Sequence, residues 1–499
     1  MIQVLIHQQS KNRSEIRYTL LTLFGMMGIK PNWTDTLPTE GPVLWHGENF
    51  EELKGRPVSG IYIHQSSYWE TRQIPQTVGF AVSAEDQNFI SSRNLKKIPY
   101  LYDFRQVPGM QVLYTDQETG IPLIVKNKHE YWIGFDLIAV TYSLLTLSFE
   151  NQVRTDDFLG RFQKKSHPLA ESLFDIPWID RYMNLLLTLF QDLYAGKISP
   201  KKRWPDNHEF SVALSHDIDR IRTWSFSKIK SNIQKSILGR NGERARYSNQ
   251  LLNSLLRRAS WQGNFNYITD MEKEFHSTFF FAAKRRHSLD PKYQLNDKKV
   301  RYGLNCIQTK GSAIGLHGSI QSATDSRLLI QEKKALETVT SSPVIGNRFH
   351  YLSFDMRSTF KAVEAGQFKY DSTLGFSDAV GYRCGTSLPF KPYCHDTRSA
   401  YTFWEIPMII MDTVLSLHSK LDLMAEDAWP LVLGYLEETR NNGGCLTVNS
   451  HNTNLFAFDP SGYTALYQKI LHWTAENKGW ICSLDELCEW WSDHTEQDV

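Results

Sequence analysis

The sequence predicts an α/β protein whose larger part is a closed or nearly closed (β/α) barrel of about seven strands, preceded by a smaller α/β unit. Three observations predict it. Beyond residue 205, compact apolar segments alternate with longer helix-forming ones. A stretch of charge and proline without periodicity, "KISPKKRWPDNHE", separates that run from what precedes it. Polar residues suited to chemistry fall at the C-terminal ends of several strand candidates, where α/β barrels gather their catalytic groups. A doubly wound open sheet is the alternative arrangement of the same units.

The 499 residues are too many for one ordinary small domain. Residues 1–200 read as an N-terminal α/β domain without recognisable chemistry. Its strands include "VLIHQ" and "GIYIHQ"; its helices include "IRYTLLTLFGMMG" and "WIDRYMNLLLTLFQDLYAG", the last stopping at Gly196. The apolar window Phe135–Phe149 carries Asp136 and is too short to span a bilayer, so it predicts a buried helix. Residues 205–492 form the barrel unit. Its strand candidates are "FSVALSHDID", "HSTFFFAA", "SAIGLHGS", "PVIGNRFHYL", "FWEIPMIIMD", "GGCLTVNSH" and "GWICSL", with "YDSTLGF" as a short extra. Helical segments such as "LLIQEKKALETVTSS", "EDAWPLVLGYLEETRNNG" and "GYTALYQKILHWTAENKG" lie between them, the β-then-α order of a parallel sheet.

With 55 basic against 54 acidic residues, the chain lacks the basic excess of a general nucleic-acid binder. One insertion, residues 225–260, departs from that balance: Lys228, Lys230, Lys235, Arg240, Arg244, Arg246, Arg257 and Arg258 face the single acid Glu243. It reads as a solvated basic excursion, or as a lid attracting an acidic, nucleotide-linked or lipid-linked substrate or an anionic membrane surface. The six cysteines form no C-x-x-C pair, which argues against a zinc knuckle or disulfide framework and for a reducing compartment. The first residues are too polar for a secretory signal, so a soluble cytoplasmic protein is expected. Its oligomeric state is not encoded in any recognisable pattern.

The chemistry concentrates in four places. In "LSHDIDR", Asp217 and Asp219 project to one face of an extended chain while His216 points away. Two carboxylates so close call for a cation or a proton between them, unless they merely cap the following helix. His317 in "AIGLHGS", Arg348 with His350 in "NRFHYL", and His451 in "LTVNSH" each end a different strand candidate. Their agreement on one end of the barrel favours a catalytic site. Further along, "AAKRRHSLDPKY" offers Arg285, His287, Asp290 and Tyr293 from a barrel loop; "GYRCGTSLPF" offers Arg383 near the mouth; and Asp412 is placed to orient His451.

Taken in order, "LSHDID", "AIGLHGS", "NRFHYL", "YDSTLGF" and "LTVNSH" resemble the five motifs of the NodB-homology polysaccharide deacetylases, carbohydrate esterase family four, over roughly residues 205–490. The combination is similar to a bacterial branch associated with surface-polysaccharide biosynthesis, whose members carry an additional N-terminal domain. The resemblance implies a seven-stranded, distorted NodB-type barrel and metal-assisted removal of N-acetyl groups from a carbohydrate, free or carried on a nucleotide or lipid. It implies Asp217 as general base, Asp219 and His317 as ligands of a divalent metal (zinc first, cobalt or manganese next), Arg348 as the cation orienting the base, Asp371 as the carboxylate partner of Arg348, and His451 as general acid. Arg285, Tyr293, Tyr351 and Arg383 would meet substrate. The family's second motif carries another histidine four residues after the first; here that position is Gln321. His350 is the candidate to complete the metal site, with Ser319 or Ser322 holding a water as the alternative. A non-catalytic glycan-binding barrel and a hydrolase of another C–N bond use the same residues and remain open.

Overall fold

The computed structural model describes residues 264–495 apart from short stretches within 416–424 and 457–461. It also describes residues 2–221 with gaps, the longest at 48–58, 72–79, 83–88, 92–110 and 116–121. Only isolated positions of 222–263 are described, so the basic insertion predicted at 225–260 lies outside the described residues.

The N-terminal half builds one seven-stranded sheet from β1 (Ile2–Ile6), β2 (Pro31–Trp33), β3 (Val43–Gly47), β4 (Gly60–His64), β5 (Gln111–Thr115), β6 (Pro122–Asn127) and β7 (Glu130–Ile133), ordered β2-β1-β3-β4-β7-β6-β5. The first four and β7 run parallel; β6 and β5 add antiparallel at one edge. Helices Arg13–Met26, Leu137–Leu145 and Trp178–Leu193 pack together over it. Every residue of Leu137–Leu145 is buried, as its unbroken apolar run predicts, and Asp136 caps its start by accepting from the Ala139 amide. Among the described residues no helix is long and apolar enough to cross a membrane.

The second sheet is entirely parallel. Its strands are β8 (Phe210–Ile218), β9 (Thr278–Phe281), β10 (Ala313–Gly318), β11 (Gly346–Phe349), β12 (Tyr370–Asp371), β13 (Trp404–Glu405), β14 (Ile410–Met411), β15 (Cys445–Asn449) and β16 (Gly479–Ser483). The order is β13-β12-β11-β10-β9-β8-β15-β14, with β16 paired to the first half of β8 and β9 to its second half. All nine positions of β8 are buried, the pattern of a strand covered on both faces. β13 and β14 are the two ends of one segment that pairs with β12 where it begins and with β15 where it finishes. Pro407 lies between them, has no N–H to continue a ladder, and offers its carbonyl to the Thr447 hydroxyl. That segment joins the two edges of the sheet and curls it into an irregular (β/α) barrel. Helices Lys298–Thr309, Ser326–Thr340, Ala425–Asn442, Tyr463–Glu476 and Leu484–His494 supply the outer layer. Gly346 admits the close approach of β11 to β12, since a Cβ there would meet the Tyr370 ring at 2.0 Å.

The two sheets share one contiguous apolar core. Phe162 and Phe174 from the N-terminal half lie 6.1 and 5.1 Å from the ring of Phe376 in the barrel.

Candidate active site at the barrel mouth

β8 carries Asp217 to the C-terminal rim of the barrel, where β10, β11 and the loop after β15 bring His317, Arg348, His350 and His451 around it. Strand alternation sends His216 the other way. It is fully buried in the outer layer, with Nδ1 at 2.7 Å from the Ser450 carbonyl and Nε2 at 2.9 Å from Glu272.

Asp217 is held by two partners. Arg348 Nη1 donates to its Oδ1 at 2.9 Å, and Asn449 Nδ2 donates to its Oδ2 at 2.8 Å. The guanidinium is itself fully buried: Nη1 also donates to the Ser215 hydroxyl, Nε to the Ser372 carbonyl, Nη2 to the Ser372 hydroxyl, and its plane lies 4.5 Å from the Phe280 ring centroid. Burial pushes the Asp217 carboxyl up, but the charges of Arg348, then His317 and His451, hold it below the usual range. A carboxylate in that state stays ionised at neutral pH and can accept a proton.

Asp219 stands at the centre of a ring of imidazoles. Its Oδ1 lies 3.3 Å from His317 Nε2 and 3.5 Å from His350 Nε2, and its Oδ2 lies 3.6 Å from His451 Nε2. In each histidine the other nitrogen is committed: His317 Nδ1 at 2.9 Å from the Arg348 carbonyl, His350 Nδ1 at 3.2 Å from Asp290, His451 Nδ1 at 2.7 Å from Asp412. Nδ1 as donor to those oxygens leaves the Nε2 lone pairs of His317 and His350 directed at Asp219, the arrangement by which outer partners orient metal-ligating histidines. Asp219, His317 and His350 present ligand atoms all within 4.8 Å of one another, and among the described residues they are the one such group. Asp219 Oδ1 is buried without a hydrogen bond, an orphaned anionic atom between two imidazole nitrogens. That oxygen and the two facing nitrogens make a donor set that fits a divalent cation of the zinc class.

Burial opposes the charged form of His451, yet Asp412 and then Asp219 outweigh it and raise the ring to about 10. Where no cation lies between them, Asp219 and Asp290 hold a proton on His350 against burial and raise it to about 9; a metal ion held there would take the place of that proton and engage the Nε2 lone pair.

The other predicted residues separate. Tyr351 lines the cleft at the site, and Tyr293 lines its continuation, accepting from the Ala282 amide. Three expectations need correction. Asp371 does not meet Arg348: its carboxylate bonds Asn347 and the Thr373 amide, beside buried Glu405, and the arginine takes Ser372 instead. Arg383 does not reach the mouth; it is buried in a two-pronged pair with Glu150 of the N-terminal half. Arg285 folds onto the Ser288 carbonyl and borders neither lobe of the cleft. Ser319 and Ser322 are bound up with each other, and Ser319 with Glu332 as well; Gln321 is exposed on the adjoining turn.

Sequence reasoning missed two contributions. Asn449 lies two residues before His451, so the same alternation that linked Asp217 to Asp219 was available to find it. The second contribution, Asp157, Phe158 and Arg161, comes from the N-terminal half and lines the cleft beside Tyr351 and His451. No local pattern in the sequence marks it. The cleft has a volume of about 550 Å³ and opens past Asp219, His350 and Tyr351 into a second lobe of about 780 Å³ that Arg220, Lys292, Lys298 and Lys299 border together with Asp290 and Asp297.

No family model matches the chain, and no curated protein does. Several solved structures are similar in part. A protein assigned as a polysaccharide deacetylase from Mycobacterium smegmatis is 16% identical, with a TM-score of 0.37 over 57% of this chain and 91% of that one. A peptidoglycan deacetylase from Bacillus subtilis is 10% identical, with a TM-score of 0.26 over 57% and 93%. A 4-alpha-glucanotransferase from Thermococcus litoralis is 9% identical, with a TM-score of 0.36 over 56% and 40%.

Proposed function

We propose that the chain is a divergent polysaccharide deacetylase that uses a divalent metal, zinc first, to hydrolyse N-acetyl groups of a carbohydrate on the way to a bacterial surface polysaccharide. The observation that carries this reading is the convergence, at one barrel rim, of a carboxylate kept ionised by a buried arginine, an Asp-His-His set able to hold one cation, and a histidine kept protonated by Asp412. The order of the five motifs supports it.

A divalent ion held by Asp219, His317 and His350 would supply a Lewis acid that acidifies water and polarises the acetyl carbonyl. The chain's own groups would do the rest. Asp217, ionised and fixed by Arg348 and Asn449, takes the proton of the attacking water as its oxygen bonds to the carbonyl carbon. His451, protonated at Nε2 and oriented by Asp412, gives a proton to the nitrogen as the C–N bond breaks. The products are acetate and a free amino sugar. Beyond Asp219 the second lobe is bordered by Arg220, Lys292, Lys298 and Lys299 against Asp290 and Asp297, and that excess of cations supports a substrate whose leaving portion is anionic, as a nucleotide or lipid phosphate linkage would make it. The six cysteines, all unpaired, support a reducing, cytoplasmic setting.

The test is acetate release from N-acetylated oligosaccharides and sugar nucleotides by protein loaded with zinc, cobalt or manganese, with bound metal measured in parallel. Release by wild-type protein that Asp217→Asn abolishes is the expected result. Glycan binding without metal or release would instead make the chain a binding module.

A further inference from the structure

The N-terminal half lends the cleft a wall, and the construction of that wall specifies what it meets. Asp157 gathers the loop around itself: its carboxylate accepts from the amides of Leu159 and Arg161, from Nε and Nη2 of Arg161, and from the Gln163 side chain. Arg161, so clamped, sends Nη1 to the main-chain carbonyl of Tyr351 at 2.7 Å. Tyr351 needs such support, because its backbone sits at φ 59°, a left-handed conformation costly for an aromatic residue. The result is a pinned pair of rings. Phe158 and Tyr351 meet edge to face at 6.2 Å between centroids, with the Arg161 guanidinium 5.4 and 5.7 Å from them. Tyr351 in turn stands edge-on to His350 at 4.5 Å.

The network holds these rings in place without covering them. Phe158 is 67% exposed and Tyr351 39%, the former the most exposed of the large apolar side chains among the described residues. Both border the cleft that holds Asp217, Asp219 and His451. A phenyl ring offers an apolar face with negative electrostatic character and no hydrogen-bonding group. Its complement is a flat surface of polarised C–H groups, the face of a pyranose ring. The cation beside it is already neutralised by Asp157, so the wall does not select an anion.

We infer that Phe158 is a specificity-determining residue of the active cleft, a stacking platform for a sugar ring next to the one that loses its acetyl group. The substrate is then an oligosaccharide, and the N-terminal half is part of its binding site. The inference rests on the carbohydrate reading above and deepens it.

Phe158→Ala and Phe158→Trp test it in the full chain, with acetate release and calorimetric binding measured on N-acetylhexosamine monomers and tetramers of differing linkage. Phe158→Ala should raise KM for a tetramer about tenfold, leave kcat within twofold, leave bound metal and Tm unchanged, and leave the monomer unaffected; Phe158→Trp should restore tetramer KM. Acetate release with equal KM in all three proteins overturns the platform and leaves the deacetylase reading standing. Tetramer binding that Phe158→Ala weakens, with no acetate released by any form, upholds the platform and overturns the deacetylase. A loss confined to kcat, or wild-type protein that neither binds nor cleaves any member of the series, overturns the platform.

Discussion

Arg348 and Asp217 form their ion pair where the guanidinium has no exposed surface and the carboxylate almost none. Removing one member of such a pair leaves an uncompensated buried charge. Arg348→Met is therefore expected to destabilise the protein by about 3–5 kcal/mol, and Asp217→Asn in the same chain should return part of that loss. Urea unfolding of the two single variants and the double variant measures it. A double variant less stable than Arg348→Met would contradict the pairing.

Asp290 reaches no acetyl group in the proposed chemistry, but it fixes the ring of His350 and accepts from the amides of Arg286, His287 and Ile320. Asp290→Asn should weaken metal affinity by about 10- to 100-fold, the usual effect of losing an orienting partner of a ligating histidine. Competition with a zinc-binding dye reads this directly. His350→Ala should lose metal outright, whereas Gln321→Ala should not change it.

The proposed acid depends on Asp412. Burial alone would lower the His451 pKa; the carboxylate reverses that and raises it to about 10. With Asp412→Asn the raised value falls, so the protonated ring is lost at lower pH and the alkaline limb of the rate profile moves toward neutrality. A drop in kcat of about 10²-fold or more is expected, with bound metal unchanged. An unmoved alkaline limb would remove His451 from the acid role.

Asp180 gives a prediction on stability. It is fully buried where helix Trp178–Leu193 meets the barrel, accepting from Thr386 and Ser387, and burial pushes its carboxyl up to about 6. A folded-state pKa above the unfolded one means that stability is greatest below about pH 4 for this group and is lost as pH rises through about 6. About two pKa units correspond to roughly 3 kcal/mol. Across that window the Tm of wild-type protein should fall relative to that of Asp180→Asn. Parallel curves for the two proteins from pH 4.5 to 7 would refute it.

Much of the barrel was legible because each strand announces itself as an apolar run ending in a polar residue, and the barrel topology puts all those ends on one rim. His317, Arg348, His350 and His451 meet for that reason. The errors share a different cause. The motif order implies Asp371 as the partner of Arg348, but the arginine takes the next residue, Ser372; in extended chain one position reverses the side a group faces, and motif spacing does not resolve that. The small residues around Arg383 suggest a tight loop near the mouth, but its partner Glu150 lies 233 positions earlier, beyond any local pattern. Phe158 was invisible on the same ground. Its setting is made by a loop whose own sequence is unremarkable and by a tyrosine 193 positions away, the difference between residue numbers 351 and 158.

The unbroken core has a consequence for any attempt to express the barrel by itself. A gene fragment encoding residues 205–492 alone would bare Phe376, which Phe162 and Phe174 cover, and would strand Arg383 without Glu150. It would also drop the tryptophan packing in which Trp204 joins Trp480 and Trp491. Cut at residue 205, the barrel would therefore present fresh apolar surface and a buried cation without its counter-charge.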